Sequence, residues 1–179
     1  MRTRISLLAV HALALTILVA APAHAEFYTV DDPADTKGSL TDIYRLEARH
    51  GDETMVVKVR FAELIRSSAA GVSVFFDTDR DRKGPEYVLS SGLGDGTDYV
   101  LTAADGWRAS GDQVRCDYRA RPKWGQEVFR AVVSRDCLDR SQSVRVSVKM
   151  VDQAGQRAVR DWAPKRRRWS LPLAPGLGV

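Results

Sequence analysis

The sequence predicts an all-β protein, an antiparallel β-sandwich of eight or nine short strands with one or two short helical turns. Segments in which apolar and polar residues alternate recur along the chain, and short polar turns separate them. No amphipathic helix longer than about two turns is visible. Alternation of this kind is typical of half-buried strands, so it favours two packed sheets whose outer faces contact water.

The strand segments can be placed in order from their alternation and from the turns between them. Gly51-Asp52 joins two alternating runs into a hairpin, and an acidic turn from Asp77 to Glu86 joins the next two. Short helical turns are expected at 61–66 and 134–138. The nine strand segments are 26–30, 43–50, 55–61, 72–76, 87–90, 98–102, 113–120, 127–133 and 144–150.

Residues 1–25 have the three parts of a secretory signal peptide: a basic start, an apolar run, and a small-residue cleavage motif that ends at Ala25. The apolar run is short for crossing about 30 Å of hydrocarbon, so cleavage is expected rather than a membrane anchor. Residues 26–170 are expected to form a single β-sandwich domain, and residues 171–179 a disordered tail. The predicted location is extracellular or in the cell envelope, with no transmembrane segment after the signal peptide is removed.

Charge and cysteine content restrict the possible functions. Cleavage removes Arg2 and Arg4 and no acidic residue, which lowers the formal net charge from +4 to +2. Because acidic residues are spread along the chain, this balance argues against a dedicated polyanion binder, and nucleic acid is not expected as a partner. Cys116 and Cys137 are the only cysteines. In an exported protein such a pair predicts a disulfide, which stabilises the fold by roughly 3 kcal/mol.

The acidic turn is the first candidate site. Asp77, Asp79 and Glu86 offer hard oxygen ligands on a tight loop, which is the chemistry that calcium prefers. A helix-flanked calcium loop would need Gly and a bidentate Glu where this chain has Arg82 and Val88, so the turn does not match that motif. One interpretation is a strand-loop-strand calcium site with these three ligands. The alternative is a solvated turn whose carboxylates pair with neighbouring Arg and Lys side chains.

Candidate catalytic groups are scarce. His50 is the only histidine after the signal peptide, and it falls at a predicted hairpin turn. The chain has no Gly-x-Ser-x-Gly nucleophile elbow and no histidine cluster for zinc. We therefore expect no enzyme activity and no cofactor other than the candidate calcium. A hydrolase that uses the carboxylates of the acidic turn is the third-ranked function.

Tryptophans near turns are the second candidate site. Trp107 and Trp124 fall in predicted turns, where an exposed indole can stack on the apolar face of a sugar ring. Capping of the sandwich core is the alternative role. A basic run that ends at Trp169 lies near the C-terminus. Outside a cell its partner would be an anionic wall polymer or a lipid headgroup, and the alternative is a solvated basic tail.

Five short segments together resemble part of a known family. They are Asp32-Pro33-Ala34-Asp35, Leu40-Thr41-Asp42-Ile43, Val57-Lys58-Val59-Arg60-Phe61, Phe76-Asp77-Thr78-Asp79 and Gly84-Pro85-Glu86-Tyr87. This pattern resembles the front half of carbohydrate-binding-module-9-like (DOMON-like) β-sandwich domains, and the whole mature chain resembles a group of small secreted actinobacterial proteins. The resemblance implies a sandwich and a ligand-binding role. The sugar-clamping tryptophans of that family have no matching positions here, so sugar specificity does not carry over.

The sequence therefore predicts an exported, non-catalytic binding or interaction module, with glycans or anionic cell-wall polymers as the leading ligand class. A structural or protein-interaction role without a small ligand is the second interpretation. The residues expected to bind the ligand are Trp107 and Trp124.

Overall fold

The computed structural model describes residues 26–176, which form two antiparallel β-sheets. The predicted signal peptide and residues 177–179 lie outside the described residues. The predicted all-β sandwich is confirmed, with eleven strands in the described part of the chain. The elements are β1 (Phe27–Asp31), β2 (Ile43–His50), β3 (Thr54–Phe61), β4 (Ala70–Asp77), β5 (Tyr87–Gly92), β6 (Tyr99–Asp105), β7 (Arg108–Gln113), β8 (Tyr118–Lys123), the 3₁₀ helix η1 (Trp124–Gln126), β9 (Val128–Ser134), the 3₁₀ helix η2 (Arg135–Leu138), β10 (Arg145–Asp152) and β11 (Val159–Ala163).

Strand order places the two predicted hairpins in different sheets. The five-stranded sheet has the order β1-β2-β3-β9-β8, and the six-stranded sheet has the order β11-β10-β4-β5-β6-β7. The β2–β3 and β4–β5 hairpins are both antiparallel neighbours, as their alternation predicts. Neither helical segment within residues 26–176 has the length and apolarity that crossing a membrane requires.

The core lies between the sheets and follows from the two-residue period of the strands. On β4, the side chains of Val72, Val74 and Phe76 point inward, and their partners on β10 include Val146 and Val148. These five side chains are at most 2% exposed. Burial of each stabilises the fold by about 1.5–3 kcal/mol. A one-residue slip of register would turn all of them toward water, so the core determines the pairing of β4 with β10.

The chain crosses between the sheets at 114–117, where the sequence pattern predicts one continuous strand over 113–120. The structure corrects this prediction: β7 ends at Gln113 in the six-stranded sheet, and β8 begins at Tyr118 in the five-stranded sheet. The predicted Cys116–Cys137 disulfide is present at the crossing, with Cα atoms 5.6 Å apart. It ties the crossing to η2 and closes this end of the sandwich.

The segment 61–66 is not helical, contrary to the sequence prediction. Phe61 ends β3, and the next two backbone amides donate to the 40–42 loop: Ala62 N to Asp42 O at 2.9 Å and Glu63 N to Leu40 O at 3.0 Å. Because these amides bond to another segment, they do not form a helical turn. The predicted turn at 134–138 is present as η2, and Ser134 caps it by accepting from the Asp136 amide.

Residues 171–176 pack against the sandwich, although the sequence pattern assigned 171–179 to a disordered tail. Leu173 is fully buried and exchanges two backbone hydrogen bonds of 3.0 Å with Val144. The carbonyl of Leu173 also accepts from His50 Nδ1 at 2.9 Å. Composition misleads here because the segment is anchored by its backbone and by one leucine, and its other residues resemble those of a linker.

His50 is buried inside the fold instead of exposed at a turn. Its side chain is 0% exposed, and its Nε2 atom has no hydrogen-bond partner among the described residues. Burial lowers the pKa of His50, and the nearby Arg135 guanidinium lowers it further, whereas the bond to Leu173 opposes both effects. The folded protein therefore holds this imidazole neutral.

Replacement of His50 by Gln should remove an acid sensitivity of the fold. The unfolded chain binds a proton at His50 below about pH 6.5 and the folded chain resists it, so this residue makes stability fall as pH decreases. Between about pH 7.5 and about pH 5, the wild type should lose up to about 2 kcal/mol relative to the Gln variant. Urea unfolding at both pH values measures the difference. Equal losses in the two proteins would contradict a buried neutral imidazole.

Candidate functional site

An aromatic cluster covers part of the outer face of the six-stranded sheet. Phe75 points outward from β4, yet it is only 1% exposed because tryptophans cover it. Its ring centroid lies 5.2 Å from that of Trp107 and 5.7 Å from that of Trp162. Trp169 in turn stacks on Trp107, with centroids 4.5 Å apart. We call Phe75, Trp107, Trp162 and Trp169 the aromatic cluster. Aromatic pairs at such distances add about 0.5–1.5 kcal/mol beyond area burial.

Three separate segments bring the tryptophans together. Trp162 lies on β11, directly opposite Lys149 of β10. Trp107 belongs to the tight β6–β7 turn, where Gly106 takes a φ of +56° that favours glycine. Trp169 is positioned by its neighbour Ser170, whose amide donates to the Val146 carbonyl at 2.8 Å and whose hydroxyl accepts from the Val146 amide at 2.9 Å.

A cavity of about 480 Å³ opens beside the aromatic cluster, and cations line it. No carboxylate is among its lining residues. None of the five lining cations lies within 4.0 Å of a carboxylate oxygen of residues 26–176. We call this cavity the cationic cleft, and its lining residues are Trp107, Arg108, Lys149, Arg160, Trp162, Arg166 and Arg167.

Lys149 is the least exposed of these five cations. Its ammonium lies 5.9 Å from the ring centroid of Phe75 and 5.8 Å from that of Trp162. Burial lowers the pKa of Lys149, and the guanidinium groups of Arg160, Arg167 and Arg108 lower it further. The folded protein thus keeps a partly desolvated cation among like charges, an arrangement that a bound anion would relieve.

The cleft combines two kinds of recognition. Guanidinium groups offer planar forks of donors that match carboxylate and phosphate oxygens, and a lysine adds a point charge. The indoles of Trp107 and Trp162 line the cleft beside these donors, and each has one face covered, by Trp169 and by Phe75 respectively. An anionic group attached to a ring would satisfy both features at once.

An acidic group lies next to the cleft. Carboxylate oxygens of Asp32, Asp35 and Asp161 lie within 4.8 Å of one another, and this is the described acidic group close enough to share a cation. Burial, with repulsion from Asp161, Asp35 and Asp42, raises the pKa of Asp32 to about 7. Asp161 has a structural role, since it accepts from the Ile43 amide at 2.7 Å and thereby links the two sheets.

Protein donors contact Asp77 Oδ2, Asp79 Oδ1 and Glu86 Oε2 in the acidic turn, whereas the buried Asp77 Oδ1 has no partner among the described residues. Asp77 is fully buried and forms an ion pair with Arg145, its partner in the β4–β10 register. Burial raises the pKa of Asp77, and the Arg145 guanidinium opposes that effect. Glu86 accepts from the amides of Thr78 at 2.8 Å and Asp79 at 3.2 Å. These contacts give the turn its shape, and calcium at Asp77, Asp79 and Glu86 stays a prediction.

The two tryptophans proposed from the sequence lie in different environments. Trp107 lines the cationic cleft. Trp124 begins η1, donates from Nε1 to the Leu93 carbonyl at 2.9 Å, and packs against the core. The Arg66 guanidinium lies 4.4 Å from its ring centroid, so one face of this indole is already covered. These contacts fit the capping role that was the alternative for Trp124, and ligand binding at this residue stays a prediction.

Sequence reasoning missed most of the cleft. Trp162 and the five cations come from β7, β10, β11 and the segment after β11, which only the strand pairing brings together. The one available signal was the basic run around Arg166 and Arg167, beside Trp169.

Comparison with protein-family models, with curated proteins and with solved structures finds no match for this chain. The resemblance to carbohydrate-binding-module-9-like domains accordingly stays a prediction.

Replacement of Lys149 by Met should stabilise the unliganded protein. The substitution removes a partly buried cation from among like charges and keeps an apolar stem against Phe75 and Trp162. At low salt we expect a gain of up to about 1 kcal/mol, which shrinks as salt screens the repulsion. Thermal melting at two ionic strengths measures it.

Lys58→Met is the matched control, because Lys58 lies on the other sheet and pairs with Glu47 at 3.5 Å. This variant should gain nothing. A Lys149→Met protein that gains no more stability than the control would show that Lys149 is not repelled by its neighbours.

Proposed function

We propose that this protein is a non-catalytic binding module of the extracellular space or cell envelope, and that its cationic cleft holds an anionic, ring-containing polymer such as a carboxylated or phosphorylated glycan. The observation that carries the proposal is the convergence of five cations without a described carboxylate partner on one cavity that two tryptophans line.

Electrostatics supports an anionic ligand over a neutral one. Among residues 26–176, some cations elsewhere, such as Arg60, Arg140 and Arg145, lie within ion-pair distance of carboxylates, whereas the cleft cations, like many others on the surface, do not. In the cleft, burial lowers the pKa of Lys149, and repulsion from the neighbouring Arg160, Arg167 and Arg108 lowers it further. A carboxylate or phosphate group would remove that repulsion and form charge-assisted hydrogen bonds, each worth about 1.5–3 kcal/mol.

The tryptophans support a ring-bearing ligand over a simple ion. Trp107 and Trp162 meet nearly edge to face, with an angle of 78° between their planes, so the cleft presents indole surface in two directions. A flat apolar surface beside fixed donors suits a sugar ring that carries an anionic substituent. A binding role is proposed because cations and indoles line the cleft itself, whereas the carboxylates of Asp32, Asp35 and Asp161 line the adjoining cavity.

The disulfide is compatible with an oxidising, extracellular location. Export itself rests on the signal-peptide pattern of residues 1–25.

Removal of two cleft arginines should weaken binding of an acidic oligosaccharide. We expect Arg160→Ala/Arg167→Ala to lose about 10- to 100-fold in affinity for a uronic acid trimer, because two charge-assisted contacts disappear. The matched neutral hexose trimer should bind at least tenfold more weakly than the uronate to the wild type. Isothermal titration at low and at physiological salt measures both, and the salt dependence should become shallower in the variant.

Two controls separate the cleft from general basicity and from general packing. Arg49→Ala, on the other sheet, should bind the uronate as the wild type does. Trp107→Phe should bind it more weakly, whereas Trp124→Phe should not. Equal affinity of the wild type for uronate and neutral trimers, or equal losses in all four variants, would contradict the proposal.

A further inference from the structure

A second basic surface lies on the opposite side of the molecule, on the outer face of the five-stranded sheet. Arg119, Arg121 and Lys123 occupy alternate positions of β8, and Ala120 between them is buried, so the three long side chains point outward. Arg130 of the adjacent strand β9 joins them around a concavity of about 210 Å³. We call Arg119, Arg121, Lys123 and Arg130 the β8–β9 patch.

The register of the sheet forces like charges together in this patch. Arg121 and Arg130 are directly opposite each other in the β8–β9 pairing, at a separation where like charges destabilise a sheet. None of the four patch residues is within 4.0 Å of a carboxylate oxygen in residues 26–176. Other cations on the same face are paired, for example Arg45 with Asp31 and Arg60 with Glu47.

Protection of a sheet edge explains only part of the patch. Strand β8 is an edge strand, and charged side chains on an edge discourage pairing with another chain. That purpose accounts for Arg119, Arg121 and Lys123. It does not account for Arg130, because β9 is an internal strand with partners on both sides. A fourth cation placed directly opposite Arg121 indicates that the charge is concentrated there for a counter-charge from outside the chain.

We propose that the β8–β9 patch is a second anion-binding site, and that it holds another segment of the same class of anionic polymer as the cationic cleft. The two sites lie on the outer faces of opposite sheets, so one molecule bridges two polymer segments. The bridging rests on the proposed function of the cleft, whereas the second site rests on the patch alone. Because the patch lining contains no aromatic residue, it recognises charge without selecting a ring.

Charge and shape favour a polymer over a membrane surface. Attachment to a membrane interface usually combines basic residues with apolar side chains that insert among the lipids. No member of the patch is a large apolar residue, although Arg130 also lines a neighbouring cavity with the exposed Phe27 of β1. The cations also surround a concavity, which a chain-borne phosphate or carboxylate can enter and a planar bilayer cannot.

Titration with tripolyphosphate tests the two sites separately. The wild type should bind two equivalents, and Arg121→Ala/Arg130→Ala should bind one, with the affinity of the cleft unchanged. Arg160→Ala/Arg167→Ala should keep one equivalent, the one at the patch. Arg45→Ala/Arg60→Ala, which removes two paired cations from the same face as the patch, should still bind two. With long-chain polyphosphate, light scattering should rise for the wild type and stay low for both double variants that lose a site.

Each alternative outcome has a defined meaning. The second site would be overturned if Arg121→Ala/Arg130→Ala still binds two equivalents of tripolyphosphate. The same conclusion would follow if only the cleft variant binds fewer equivalents than the wild type. If the cleft variant still binds two equivalents while the patch variant loses one, the patch stands and the proposed function of the cleft fails. Retention on anionic phospholipid vesicles but not on the polymer, abolished by the patch variant, would overturn the polymer in favour of a lipid surface.

A stability readout guards against misfolding of the patch variant. Since the substitution removes a directly opposed pair of like charges, Arg121→Ala/Arg130→Ala should melt at a higher temperature than the wild type in low salt without polyanion. A lower melting temperature would show that the two arginines support the sheet and would contradict their role as an unsatisfied anion site.

Discussion

The burial of Phe75 is the interaction on which the outer layer of this molecule depends. Phe75 points away from the core on a central strand, and it is shielded from water because Trp107 and Trp162 close over it. The covering residues come from the β6–β7 turn and from β11, which pairs with β10, and the segment that follows β11 is held by the bonds between Ser170 and Val146. Those same segments carry the arginines that surround Lys149. The aromatic cluster thus builds the cationic cleft as a consequence of its own packing.

The sequence predicts the fold better than the site. Alternation suffices for the β2–β3 and β4–β5 hairpins because one face of each strand is buried, whereas β7 has no buried residue and so shows no apolar period. The low formal charge of +2 for residues 26–179 concealed the cleft, because net charge is a sum and strand pairing brings the cations of the cleft together. Asp77 illustrates the converse: its spacing indicates a metal ligand, which stays a prediction, whereas its burial against Arg145 was not visible in the sequence.

Both basic surfaces hold cations at a cost to the stability of the unliganded fold. In the cleft the cost is visible as the lowered pKa of Lys149, and in the β8–β9 patch it is visible as the direct opposition of Arg121 and Arg130. Residues kept in a destabilising arrangement are typical of binding sites, since a ligand of opposite charge turns the repulsion into attraction. The disulfide and the anchored C-terminal segment supply compensating constraints elsewhere in the sandwich.

The most direct measurement is a two-dimensional ¹H–¹⁵N NMR titration of the four indole N–H signals with a uronic acid trimer. A ligand in the cationic cleft should shift the signals of Trp107 and Trp162, which line the cavity. The signal of Trp124, whose N–H is bonded to the Leu93 carbonyl outside the cleft, should not move. Shifts confined to Trp124, or no indole shift at a saturating ligand concentration, would contradict the assignment of the cleft as the binding site.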